Sequence, residues 1–200
     1  MVKTLITAVA LSFGIAGSAS AAVVFSDDFN GEALGLSTTL DNWTVTTPSI
    51  DVIGTGSFDF YPGNGNYLDL NGSSAPNSEG RIETAALGLV AGKKYSLTFD
   101  YGTNSSPGPL PALLTFGLGT DLITLVINAI PVTLVSASYT FIYNGSGDWL
   151  SFADTSNTAG DQGGPVLDNV VLSAVPLPAG GLLLLGALGG LAAMRRRKSI

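Results

Sequence analysis

Tyr95-Ser96-Leu97-Thr98-Phe99-Asp100-Tyr101 decides the fold class. In an extended chain Tyr95, Leu97, Phe99 and Tyr101 fall on one side, and Ser96, Thr98 and Asp100 on the other. That period of two, carried by aromatic residues, is the pattern of a half-buried strand. The preceding Ala91-Gly92-Lys93-Lys94 supplies the glycine and polar residues of a turn. Working outward, shorter runs of the same kind occur at Trp43–Thr46, Ile50–Ile53, Tyr67–Leu70, Arg81–Thr84, Leu113–Leu118, Leu122–Ile127, Ser138–Tyr143, Leu150–Ala153 and Val166–Ser173. Turn formers separate them: Pro62-Gly63-Asn64-Gly65, Asn71-Gly72, Pro107-Gly108-Pro109, Asn144-Gly145 and Gly163-Gly164-Pro165. No amphipathic helix of useful length lies between Val23 and Ser173. Many short strands joined by such turns predict an all-β domain, an antiparallel β-sandwich of the jelly-roll type.

Both flanks have a different character. Residues 1–21 carry one positive charge at Lys3, an apolar stretch from Leu5 to Ala16, and Ala19-Ser20-Ala21 as an A-x-A cleavage site. This is the pattern of a secretory signal peptide, with Ala19 and Ala21 setting the cut. At the other end Val175-Pro176-Leu177-Pro178-Ala179 precedes an uncharged, proline-free run over 180–194, followed by Arg195, Arg196, Arg197 and Lys198 in a tail spanning 195–200. Pro176 and Pro178 fix φ and hold their neighbours extended, which leaves 175–179 open to a processing enzyme. The run predicts a transmembrane helix, whose backbone satisfies itself in lipid. At ~1.5 Å per residue it covers about 22–25 Å against a ~30 Å hydrocarbon core, the length of a provisional anchor. The basic cluster acts as a stop on the cytoplasmic side. These flanks leave 22–174 as the β-sandwich domain, placed outside the cytoplasm.

Charge and residue absences narrow what the domain can do. All fifteen acidic residues lie in 22–174, against only Arg81, Lys93 and Lys94, a net charge of −12. Nucleic acids and anionic lipids are excluded as partners, since phosphate recognition needs a basic face. Solubility, cation binding and neutral polymers fit the acid excess. The chain has no Cys and no His. Disulfide stapling, a Ser-His-Asp triad, a thiol nucleophile and a His- or Cys-ligated zinc are therefore all absent.

Motif, helix and basic tail in that order resemble the VPLPA-CTERM sorting signal, a variant of the PEP-CTERM signals handled by exosortases in Gram-negative bacteria. The resemblance rests on Val175, Pro176, Leu177, Pro178, Ala179, the 180–194 helix and the stop-transfer residues Arg195–Lys198. It implies export through signal peptidase, transient retention in the inner membrane, and cleavage near the motif by an exosortase-type transpeptidase. The product would then be released or attached at the cell surface. Within the domain Asp27-Asp28-Phe29, Asn42-Trp43-Thr44-Val45, Ile50-Asp51-Val52-Ile53-Gly54, the run Pro62–Gly72, the run Ala91–Asp100, Leu150-Ser151-Phe152 and Gly164–Val170 resemble a domain common in exported PEP-CTERM proteins. That domain is similar to galactose-binding-like and carbohydrate-binding-module jelly rolls.

In the related modules a calcium ion ties the first strand to the last. The resemblance implies structural Ca2+ held by Asp27, Asp28 and Asp168, with Glu32 nearby, in an oxygen shell suited to that cation. The same residues can instead cap a loop and bind a neighbouring amide. Sugar recognition needs a ring platform and fixed polar groups. Tyr61 and Tyr101, with Asp59 and Asn104 on loops, are the ligand-binding candidates, while Trp43 and Trp149 suit the core better. A glycoside hydrolase would need two carboxylates ~5–10 Å apart, and among fifteen acids chance alone provides such a pair. The expected function is therefore non-enzymatic: an exported surface or matrix protein whose sandwich binds exopolysaccharide or mediates adhesion. A purely structural matrix component and a carboxylate-dependent hydrolase are the alternatives.

Overall fold

The computed structural model describes residues 21–37, 39–73, 79–104, 110–156 and 163–176. The predicted signal peptide, the membrane helix, the basic tail and all of the 175–179 motif beyond Pro176 lie outside the described residues, as does the Pro107-Gly108-Pro109 turn. The described residues form strands β1 (Ala22–Asp27), β2 (Gly35–Ser37), β3 (Trp43–Val45), β4 (Ile50–Gly54), β5 (Asn66–Asp69), β6 (Arg81–Thr84), β7 (Lys94–Thr103), β8 (Ala112–Leu118), β9 (Asp121–Ile127), β10 (Val135–Ile142), β11 (Leu150–Asp154) and β12 (Pro165–Ala174). They are arranged as two antiparallel sheets in a jelly-roll sandwich. The larger sheet runs β10-β7-β12-β5-β4-β2 with β1 also on β12, and the smaller runs β3-β6-β11-β8-β9. Residues Ala21–Val175 close on themselves as one compact unit that contains every strand and both apolar clusters, so it holds what it needs to fold alone.

The Tyr95–Tyr101 alternation is realised in β7: Tyr95, Leu97 and Phe99 are buried between the sheets. Phe99 meets two rings of the smaller sheet, Phe116 at 4.8 Å and Phe152 at 5.1 Å between centroids, both edge to face. Trp43 continues the layer, 6.0 Å from Phe152 and 4.9 Å from Phe25. Edge-to-face rings at these separations add to the gain from burying their area. The predicted turns appear where glycine must take positive φ, at Gly92 (+80°) before β7 and at Gly63 and Gly65 (+99° and +77°) before β5.

A smaller apolar cluster lies on the opposite face of the larger sheet. Val52, Leu68 and Leu167 face the main core, while their chain neighbours Ile53, Tyr67 and Val166 pack with Tyr61, Phe60 and Leu134. The β4–β5 connection, residues 55–65, covers that outer face. Its Tyr61 lies over Gly102, where a Cβ would come within 2.5 Å of the Tyr61 hydroxyl.

Removing the ring that links Trp43, Phe99 and Phe116 tests the layer. Phe152 is fully buried, so Phe152→Ala should destabilise the domain by about 3–5 kcal/mol, read as a shift in the denaturant midpoint.

Candidate functional site

Antiparallel pairing of β4 with β5 sets Asp51 directly opposite Asp69. Like charges so placed on one face are unfavourable unless one is neutralised or bonded. Asp69 is buried, and its Oδ1 accepts the Asn71 N–H at 2.9 Å while Oδ2 accepts Asn104 Nδ2 at 2.6 Å. Desolvation outweighs those two donors and, with Asp51 and Asp154 adding repulsion, pushes the Asp69 carboxyl up to about 8. At neutral pH Asp69 therefore keeps its proton. Asp51 Oδ2 accepts from the Ser73 N–H at 3.1 Å and from the Ser73 hydroxyl. Asp154, raised chiefly by burial, accepts Asn71 Nδ2 at 3.2 Å and the Ser156 N–H at 2.9 Å.

Asp51, Asp69, Asn71, Ser73 and Asn104 floor a recess of about 100 Å³, and Phe58 and Phe60 form its rim. Two floor atoms, Asp51 Oδ1 and Asn71 Oδ1, are buried without a hydrogen-bond partner. Phe58 stands 74% exposed with φ at +50°, a left-handed conformation that costs an L-residue roughly 1–2 kcal/mol. The recess thus combines two acceptors that lack donors with an apolar ring held out to solvent.

The other candidates fall elsewhere. First and last strands are neighbours, with Asp27 opposite Val170, as the calcium expectation requires. The carboxylates, however, are committed to protein donors. Asp27 accepts the Phe29 N–H, Trp43 Nε1 (both 2.9 Å) and Asn42 Nδ2 (3.1 Å), and so anchors a core tryptophan. Asp28 accepts the Asn30 N–H at 3.2 Å, and its pKa is lowered first by the Asn30 side chain. Asp168, buried opposite Asp100, bonds the Asn169 N–H and Nδ2, and desolvation pushes it up to about 7. Asp27, Asp28 and Glu32 do line a concavity of about 510 Å³ with Asp41. Among the described residues no three acidic side chains are grouped to hold a metal ion.

Tyr61 is not a platform. It is 3% exposed, its hydroxyl donates to the Thr103 carbonyl at 2.7 Å, and that hydroxyl accepts the Thr103 N–H at 3.0 Å. The expectation overlooked that the 55–65 connection turns this ring onto the sheet rather than away from it. Tyr101 packs against the main core, and Asp59 accepts the Tyr67 hydroxyl at 3.2 Å. Trp43 is a core residue, as expected, while Trp149 is half-buried with Nε1 unpartnered. Of the four predicted ligand residues only Asn104 lines the recess. Asp51, Asp69, Asn71 and Phe58 were missed. Their one sequence signal is an aspartate inside each apolar run, Ile50-Asp51-Val52 and Leu68-Asp69-Leu70.

No protein-family model and no curated protein sequence matches the chain. In fold it is similar to solved structures. One is the arabinose-bound MgGH51 α-L-arabinofuranosidase, at TM-score 0.55 and 14% identity over 83% of this chain and 28% of that one. Another is the CBM22-1 xylan-binding domain of Paenibacillus barcinonensis Xyn10C, at TM-score 0.47 and 17% identity over 80% of this chain and 99% of that one. A third is CBM35 from Paenibacillus barcinonensis, at TM-score 0.40 and 17% identity over 68% and 94%. At these identities the likeness is one of fold.

Because folding raises the Asp69 pKa from 3.8 to about 8, the folded state holds an extra proton between those values. Stability associated with that proton is full below pH 4 and is lost as pH rises toward 8. Asp69→Asn removes the charge and keeps one acceptor oxygen, with an amide N–H in place of the carboxyl O–H. It should raise the melting temperature relative to the native chain at pH 9 and lose that advantage at pH 4.

Proposed function

We propose that this chain is an exported, non-catalytic polysaccharide-binding protein of the bacterial cell surface or extracellular matrix, and that the recess beside Phe58 holds a sugar unit. The observation that carries this reading is the pair of buried acceptors, Asp51 Oδ1 and Asn71 Oδ1, beside an exposed ring. A buried polar atom left unpaired costs about 1–3 kcal/mol, and a sugar hydroxyl is the donor that removes that cost. The CH face of the same sugar stacks on Phe58. Among the described residues no basic side chain lines the recess, and the domain carries −12, so the ligand is a neutral glycan rather than an acidic one. Binding is favoured over hydrolysis because Asp69 is buried with both oxygens engaged by Asn71 and Asn104.

Delivery rests on the two ends of the sequence. A signal peptide over 1–21 takes the domain across the inner membrane, the 180–194 helix holds the precursor there, and an exosortase-type transpeptidase cuts near Val175–Ala179. The mature protein is then released or attached outside the cell.

Affinity electrophoresis against a panel of neutral polysaccharides tests the site. At least one should retard the domain, and Phe58→Ala should weaken that retardation about tenfold, the loss of roughly 1–1.5 kcal/mol of stacking, with the melting temperature unchanged. No retardation by any neutral polysaccharide, or equal retardation of Phe58→Ala, would refute it. Sorting is tested separately by intact mass. Protein recovered from the cell surface should lack the residues after about Ala179, and a surface pool still carrying Arg195–Lys198 would refute the processing step.

A further inference from the structure

The two lateral flanks of the sandwich are built differently. At one, the sheets end in β2 and β3, each of three residues, and in β1, whose pairing is broken by an irregularity between Val23 and Phe25. At the other they end in β9 and β10, of seven and eight residues. An edge strand presents unpaired N–H and C=O groups, and proteins blunt such edges with short strands, charge or proline. β2 and β3 are short. β9 has none of these protections: it contains no proline, its sole charge is Asp121 at one end, and from Leu122 to Gly147 the chain carries no charged residue at all. Among the described residues the β9 backbone bonds only to β8. On its outward face Leu122 is 43% exposed and Val126 48%, on either side of Thr124.

We infer that β9 is the contact strand of a two-fold dimer, pairing antiparallel with β9 of a second copy about Thr124. The strand is self-complementary in that register. Leu122 of one copy meets Val126 of the other, twice, with Thr124 against Thr124 on the axis and each Asp121 opposite the partner's Ile127. Cross-strand apolar pairs of this kind are the units that stabilise a sheet. The self-complementary register selects a second copy as the occupant, and charge permits it here. Two domains at −12 repel over most of their surfaces, and this flank is where they can meet without bringing carboxylates together. The contact is isologous, so it closes at two copies. Thr124 already hydrogen-bonds Thr115 Oγ1 at 2.8 Å, which orders the centre of the contact before pairing. β10 shares the flank, but its exposed face is polar at Ser136, Ser138 and Thr140 and carries an exposed aliphatic residue only at its end, Ile142. The inference is independent of the sugar reading.

Sedimentation velocity on the domain 22–174 should give twice the monomer mass at the highest soluble concentration. Thr124→Lys combined with Val126→Lys should return it to monomer with an unchanged circular dichroism spectrum. The chain has no cysteine, so Thr124→Cys supplies a single thiol on the axis and mild oxidation should link most of the protein into covalent dimers. Thr44→Cys on the opposite flank should not. A native domain that stays monomeric, a dimer that survives the double lysine change, or equal cross-linking from Thr44→Cys would each overturn the proposal.

Discussion

One aromatic layer holds the two sheets in register, and everything on their outer faces depends on it. The chain has no cysteine, so no covalent link prevents the sheets from sliding over one another. Phe99 from the larger sheet is wedged against Phe116 and Phe152 from the smaller, and Trp43 closes the layer with its Nε1 tied to Asp27. A close-packed interior admits little displacement. The pairing of β4, β5 and β12 is thereby fixed, and with it the opposition of Asp51 and Asp69. The energetically awkward part of the molecule is thus carried by its best-packed part.

Much of this frame was legible in the sequence. Tyr95–Tyr101 announced β7 and its buried face, and Arg81–Thr84 coincides with β6. The other runs match their strands to within a few residues. What escaped was β1 and β2. Ala22-Val23-Val24-Phe25-Ser26-Asp27 lacks alternation because a kink in its pairing between Val23 and Phe25 interrupts the period, and the three residues of β2 are too few to show one. Tyr101 shows the limit of the pattern itself, since it sits near the strand end and is only partly covered.

The recess was much less visible, for a physical reason. Its floor exists only once β4 and β5 adopt one particular register, and its rim only once the 55–65 connection folds back over the sheet. Neither is a local property of sequence. Tyr61 was the ring expected at the surface, but the backbone that buries Tyr61 on Thr103 is the same backbone that turns Phe58 outward. Asn104 was recognisable as a loop residue, but its partner, Asp69, lies 35 residues away.

β12 also sets how the molecule would bear force. Val166, at its start, pairs with Asp69 in the floor of the recess, whereas Ala174, at its end, pairs with Ala22 and leads to Val175, whose N–H is still bonded to the Lys94 carbonyl at 2.9 Å. Ten residues at ~3.3 Å separate those poles by about 30 Å. A load applied between a ligand at the recess and a tether at the C-terminus runs along the length of this one strand. β7 flanks it on one side for nearly its whole length, and β5 and then β1 flank it on the other. Pulled along its own axis, the strand strains those ladders together, in shear, instead of opening them one bond after another. Under such a load the domain would act as a tensile link, because the recess and the C-terminal exit lie at opposite ends of that strand.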